Sequence, residues 1–372
     1  MKIGIITMHK VHNNGSALQA FALQRTIETI GHSAKLIDYD FNANKRIKKK
    51  LIKKLLDWVI QLLLGFPQNK RIEKFNKFHK KYFNLTDQSY NSKDSLHENP
   101  PVFDIYCTGS DQVWNPRFIS NDTSFMLSFA PKNKPKLSFA ASFATNEIPF
   151  NLKELYKNYL INYNQICVRE QSNVEIIKEL VGKDSTVVCD PTILMTSDEW
   201  ISALKLESQI SPKRYILVYV LSYMYNPYPY INNIIEYVKS ILGYEVIFLG
   251  GKISNSFKFN TKCIRDEGPE DFVNLIRNAS FIVTDSFHGT AFSAIFGIPM
   301  LGVVKSKNSK DGRLITLLNK IGGSHSIVEY TEDINYSKEE LLNLKCDKSL
   351  LAKYREFSLK TLNNMLNQFT QQ

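Results

Sequence analysis

Short apolar, β-branched runs alternate with helical patterns along most of this chain, and that alternation limits its fold more than any other feature. The predicted strands are 2–7, 34–38, 103–107, 137–142, 165–168 and 186–189, then 215–220, 245–249, 262–264, 281–284 and 300–304. Helical spacing fills intervals such as 17–30, 231–242 and 271–278. Strand–helix alternation of this kind builds parallel sheets covered by helices. A chain of 372 residues exceeds one hydrophobic core, and the polar stretch 196–212 separates the two series. The expected architecture is α/β, with two Rossmann-like, doubly wound domains facing a cleft. They are placed at 1–195 and 196–346, with a last helix in 347–372 packing back on the first.

The charge is local. Between Lys45 and Lys81 there are 13 Lys or Arg against two acids, an excess equal to the whole net charge of +11. The remainder is balanced, which argues against a general nucleic-acid surface. Within this basic insertion, Ile47, Leu51, Leu55, Trp58, Val59 and Leu62 recur at helical spacing with lysines opposite. The pattern reads as a basic amphipathic helix that docks through residues 45–64 on an anionic membrane surface, or as a surface helix packed on the protein. Five cysteines without a C-x-x-C pair fit reduced thiols, not a disulfide framework or a zinc site. The amino terminus runs straight into a strand without a signal-peptide layout. A cytoplasmic protein, peripheral on the inner face of the plasma membrane, is the expectation. No metal-ligand cluster is visible, so no metal or cofactor is expected.

Chemistry-bearing residues gather at strand ends, where α/β sheets bind ligands. After the first strand come His12-Asn13-Asn14-Gly15-Ser16-Ala17-Leu18-Gln19. Gly15 allows a tight turn, and Asn13 or Ser16 can cap a helix starting near Ala17. The segment lacks G-x-G-x-x-G spacing and is no dinucleotide fingerprint. It reads as a ligand loop with Asn13, Gly15 and Gln19, or as an ordinary capped turn. After the third strand, Gly109-Ser110-Asp111-Gln112-Val113-Trp114-Asn115 crowds polar groups beside a Trp. That suits a sugar, with Trp114 as ring platform and Gly109, Ser110, Asp111, Gln112 and Asn115 around its hydroxyls; the alternative is a turn with a buried Trp. Arg169 ends a strand as a clamp on phosphate or carboxylate, or as a structural pair with Glu170. Asp190-Pro191-Thr192 reads as a structural turn.

The segment 280–300 is the most specific. Its strand runs into Thr284-Asp285-Ser286, any of which can cap a helix, and then His288-Gly289-Thr290. Gly297 and Pro299 end that helix. A histidine where strand ends and helix begins suits proton transfer, or it holds the phosphate of a bound anion as an imidazolium. Lys305 and Arg313 add positive charge to the same rim, or are solvated surface residues.

Together these segments resemble the polysaccharide pyruvyl transferase family. The resemblance rests on Asn13, Gly15, Leu18-Gln19, Gly109 to Asn115, Val168-Arg169-Glu170, Asp190-Pro191-Thr192 and Thr284 to Gly289, in order over most of the chain. Gly268-Pro269-Glu270-Asp271-Phe272, with the helix, strand and turn after it, also resembles the nucleotide-side domain of two-domain (GT-B type) glycosyltransferases. The family resemblance implies transfer of pyruvate from phosphoenolpyruvate onto two hydroxyls of one sugar, in bacterial surface polysaccharide synthesis. On chemical grounds the expected catalytic residues are His288 for proton transfer, Asp111 as base or hydroxyl-orienting group and Arg169 at the donor anion, with a glycan acceptor, lipid-linked, on the side of the first domain. Substrate contacts are then expected from Asn13, Gly15, Gln19, Gly109, Ser110, Gln112, Trp114, Asn115, Ser286, Gly289, Thr290, Lys305 and Arg313. Two positions depart from the pattern. Asn14 stands where a Tyr is common, and Ser286 where many members carry an Arg. The loss of that Arg leaves the anion to Arg169, Lys305, Arg313 or the Gly289–Thr290 amides. A nucleotide-sugar glycosyltransferase and a non-catalytic glycan-binding protein are the alternative readings.

Overall fold

The structure, a computed structural model, describes residues 1–41, 43, 67–119, 122–206, 213–223, 225–250, 262–308 and 312–370. The stretch 45–64 lies outside the described residues. The chain forms two compact units, Met1–Leu194 with Phe357–Gln372, and Met195–Glu356.

The first unit is built on a seven-stranded parallel sheet. Its strands are β1 (Lys2–Ile6), β2 (Ser33–Tyr39), β3 (Leu85–Tyr90), β4 (Ile105–Thr108), β5 (Lys136–Ala141), β6 (Gln165–Val168) and β7 (Thr186–Val187). They lie in the order β3-β2-β1-β4-β5-β6-β7. The second unit has six parallel strands, β8 (Tyr215–Tyr219), β9 (Glu245–Leu249), β10 (Lys262–Ile264), β11 (Phe281–Thr284), β12 (Met300–Val304) and β13 (Ile327–Glu329). Their order is β10-β9-β8-β11-β12-β13. Both sheets wind outward in two directions, so each is Rossmann-like and has one switch point where the winding reverses. It lies between β1 and β4 in the first unit and between β8 and β11 in the second.

The central strands read as near-continuous apolar runs because both their faces are covered by helices. Residues such as Ile3, Ile5, Ile216, Val218, Ile282 and Val283 are fully buried. Two strands have no counterpart among the expected ones. β3 is polar and mostly exposed along its length, and β13 has only three residues. Both sit at sheet edges.

The helix Pro67–Tyr82 belongs to the basic stretch 45–81 and packs on the first unit through buried Phe75 and Phe78. The last helix, Lys348–Asn367, belongs to the first unit from Phe357 onward. There the Ser358 hydroxyl accepts the Cys189 N–H at 2.9 Å. Among the described residues no helix is long and apolar enough to cross a membrane.

Candidate functional site

Each switch point is closed by a threonine at a strand end. In the first unit the Thr7 hydroxyl donates to the Ser110 carbonyl at 2.8 Å. It also accepts from Gln19 Nε2 at 2.8 Å, and the same nitrogen donates to the Ser16 carbonyl at 3.0 Å. Gln19 is fully buried, and its Nε2 braces the loop. Asn13 caps the helix Asn14–Thr29 by accepting the Ser16 N–H at 3.1 Å. That helix starts three residues earlier than expected, which places Gly15 in its first turn and not in a tight loop. The Asn14 amide is fully buried, and neither its oxygen nor its nitrogen has a hydrogen-bond partner among the described residues. Apart from the departure from Tyr, nothing in the sequence marks this orphan.

Asp111 lies at the end of the β4 loop with φ +78°, a left-handed conformation costly for a residue with a Cβ. It is held there by hydrogen bonds. The Ser16 hydroxyl donates to its Oδ2, its Oδ1 accepts the Gln112 N–H at 2.8 Å, and its carbonyl accepts the Ser142 N–H at 3.1 Å. Gln112 and Asn115 are bonded to each other at 2.7 Å. The close approach of Gly109 to Thr7, Ile5 and Leu23 explains the glycine, since a Cβ there would meet them at 3.2–3.3 Å.

Two expectations for this unit are corrected. Trp114 is fully buried, with its Nε1–H on the Phe125 carbonyl at 3.1 Å and its ring against Phe143 and Tyr163. It is core and offers no platform to a sugar. Arg169 is 4% exposed. Its Nε donates to Glu170 and one Nη to Asp190, both at 2.9 Å, which makes it the structural partner of carboxylates and not an open clamp. Burial opposes its charge, but Glu170, Asp190 and Asp111 outweigh burial and hold the guanidinium above its usual range. Ser110 also serves this cluster, donating to Asp190 at 2.8 Å. Asp190 accepts the Thr192 N–H at 3.0 Å, the structural turn expected of Asp-Pro-Thr.

In the second unit the Thr284 hydroxyl donates to the Tyr219 carbonyl at 2.6 Å and accepts the Ser286 N–H at 3.0 Å. Asp285 joins the two loops of the switch point. Its Oδ1 accepts the Leu221 N–H at 2.7 Å and its Oδ2 the Ser222 N–H at 2.9 Å. Burial pushes its carboxyl above the ordinary carboxylate value, although the two backbone N–H groups pull the other way. Ser286 caps the helix Phe287–Phe296 by accepting the Gly289 N–H at 3.3 Å. His288 is therefore the second residue of a capped helix at the carboxyl end of β11. It is partly exposed, with its ring edge-on to Phe287 at 5.2 Å between centroids.

Gly289 lets this helix lie close to the sheet. A Cβ there would come within 2.5 Å of Thr284 Oγ1 and 3.2 Å of the Tyr219 ring. The Gly289 and Thr290 amides are already engaged, by the Ser286 hydroxyl and by the Ser286 carbonyl at 2.9 Å. The expectation that they bind phosphate is corrected accordingly, and Thr290 itself is fully buried with its hydroxyl on the same carbonyl. Lys305 is exposed directly after β12, on the same carboxyl rim, and Arg313 opens the helix Arg313–Lys320. Among the described residues no group of three or more His, Cys, Asp or Glu is placed to hold a metal ion.

A family model described as "Polysaccharide pyruvyl transferase" matches residues 13–306. No curated protein matches the chain. Among solved structures, S. aureus MnaA with UDP is similar at TM-score 0.51 and 10% identity, over 92% of this chain and 86% of that one. Arabidopsis thaliana UGT89C1 is similar at TM-score 0.50 and 11% identity, over 99% of both chains. UDP-GlcNAc 2-epimerase from Neisseria meningitidis gives TM-score 0.47 at 11% identity, over 99% and 96%. At such identities the first two likenesses concern the fold alone.

Proposed function

The chain belongs to the polysaccharide pyruvyl transferase family, and from that premise we propose that it moves pyruvate from phosphoenolpyruvate onto two hydroxyls of one sugar, closing a cyclic ketal. The observation that carries this reading is His288 on a capped helix at the switch point of the second unit. A helix start favours an anion, and an imidazole can both give and take a proton.

The proton balance needs only one such group. His288 gives a proton to the methylene carbon of phosphoenolpyruvate, and the adjoining carbon becomes oxocarbenium-like. The first sugar hydroxyl attacks that carbon and returns its proton to His288. The C–O bond to phosphate then breaks, the second hydroxyl closes the ring, and its proton leaves with phosphate. No separate base is required of Asp111, whose carboxylate is bonded to Ser16 and Gln112. Asp111 and Arg169 are assigned to holding the rim of the first unit. The phosphate and carboxylate of the donor are assigned to Lys305 and to the positive end of the dipole of the helix Phe287–Phe296.

The test is phosphate release from phosphoenolpyruvate in the presence of lipid-linked galactose- or mannose-containing acceptors. Acceptor-dependent release with a new ketal methyl group supports the reading. Stabilisation by nucleotide sugars, with none by phosphoenolpyruvate, points to a glycosyltransferase instead.

A further inference from the structure

The loop leaving β8 runs Leu221-Ser222-Tyr223-Met224-Tyr225-Asn226-Pro227-Tyr228-Pro229-Tyr230, with four tyrosines in its last eight residues. They divide into two kinds. Tyr225 and Tyr228 are partly buried. The Tyr225 hydroxyl donates to the Val303 carbonyl of β12 at 3.1 Å, and its ring meets Tyr330 at 5.2 Å between centroids. Tyr223 and Tyr230 are 68% and 51% exposed. Tyr230 also meets Tyr330 edge-on at 5.7 Å. The loop is fixed at its start by Asp285, which takes the Leu221 and Ser222 N–H groups.

Tyr223 and Tyr230 thus keep half or more of their surface in solvent, although Tyr230 also touches Tyr330, while Tyr225 ties the loop to β12. The loop occupies the carboxyl end of β8, the strand paired with β11, which leads into His288. This is the switch-point rim where α/β sheets take their ligands. A pyranose ring has an apolar C–H face and a border of hydroxyls. It therefore suits an exposed tyrosine, which has an aromatic face and a polar tip.

We propose that Tyr223 and Tyr230 form a platform for a hexopyranose ring of the glycan acceptor. The choice of a sugar over another flat or apolar ligand rests on the pyruvyl-transfer reading. It moves acceptor recognition onto the second unit, since Trp114, the expected platform of the first, is core.

The test is saturation-transfer NMR on the full chain without phosphoenolpyruvate, using methyl β-D-galactopyranoside, methyl α-D-mannopyranoside and UMP as probes. At least one glycoside should receive saturation on its ring C–H protons. The Tyr223→Ala/Tyr230→Ala double variant should bind it about fivefold or more weakly, the scale of a lost aromatic contact. The Tyr223→Phe/Tyr230→Phe variant should retain binding, because the ring faces remain. Unchanged glycoside binding in the Ala variant, or no glycoside signal in the wild type, overturns the platform. A signal from UMP alone overturns it in favour of a nucleotide base. No turnover enters this measurement, so failure of ketal chemistry and failure of the platform are read separately. Both positions are exposed, and an unchanged melting temperature verifies that the variants are folded.

Discussion

Arg169 sits among three carboxylates, bonded to two of them and near a third, Asp111. Removing one partner of a buried ion pair leaves the others uncompensated, at a cost of about 3–5 kcal/mol. Arg169→Met is therefore expected to lower the urea midpoint strongly. A variant as stable as wild type but with weakened phosphoenolpyruvate binding would instead restore Arg169 as a substrate clamp. The pair with Glu170 was visible in the sequence because the two residues are adjacent. Asp190 is 21 positions away and joins only through the pairing of β6 with β7. Trp114 shows the same limit. Its polar loop suggested a sugar platform, but Phe125, Phe143 and Tyr163, all distant in sequence, decide its burial. The local capping roles of Asn13 and Ser286 were legible, since a cap involves residues only three apart.

The helix Pro67–Tyr82 carries a partly buried titratable group. His79 stacks on Phe83 at 4.7 Å between centroids. Burial first, then the nearby His9, His12 and Lys10, push its imidazole down to about 3 from 6.5. A histidine depressed in the folded state binds more protons when unfolded. Its contribution to stability is therefore full above the unfolded value and is lost as pH falls from about 6.5 towards about 3. Between pH 7.5 and pH 5 this amounts to about 2 kcal/mol. His79→Phe should remove that part of the acid sensitivity, read by urea unfolding at the two pH values. An unchanged pH dependence would show that His79 is not its source. Among the strands, legibility followed burial. Central strands reveal themselves by uniform apolar runs, whereas edge strand β3, Leu-Thr-Asp-Gln-Ser-Tyr, has three consecutive exposed polar residues and little apolar signal. β13 gains its identity from pairing with β12.

At the level of the whole molecule, two units with the same pattern of winding each offer one switch point, and the ordered motifs of the sequence fall beside both. The fold was legible because alternation and parallel winding are coupled. The chemistry was less so, because several polar residues at these rims are spent on bonding one another. The net charge of +11 remains concentrated in residues 45–81. For the stretch 45–64 we propose, from sequence, docking on an anionic membrane. At about 1 kcal/mol per basic residue near such a surface, deletion of residues 45–54 should sharply reduce partition to phosphatidylserine vesicles, and equal partition would reject the proposal. The central claim is that His288 delivers a solvent-exchangeable proton to phosphoenolpyruvate during ketal formation. The direct measurement is the reaction in D2O with a lipid-linked galactose acceptor, followed by mass spectrometry of the product. The wild type is predicted to form a ketal whose methyl group carries one deuterium, and His288→Ala to lose about 100-fold or more of the rate while remaining folded. A ketal methyl without deuterium, or a folded His288→Ala variant turning over at the wild-type rate, would contradict the account.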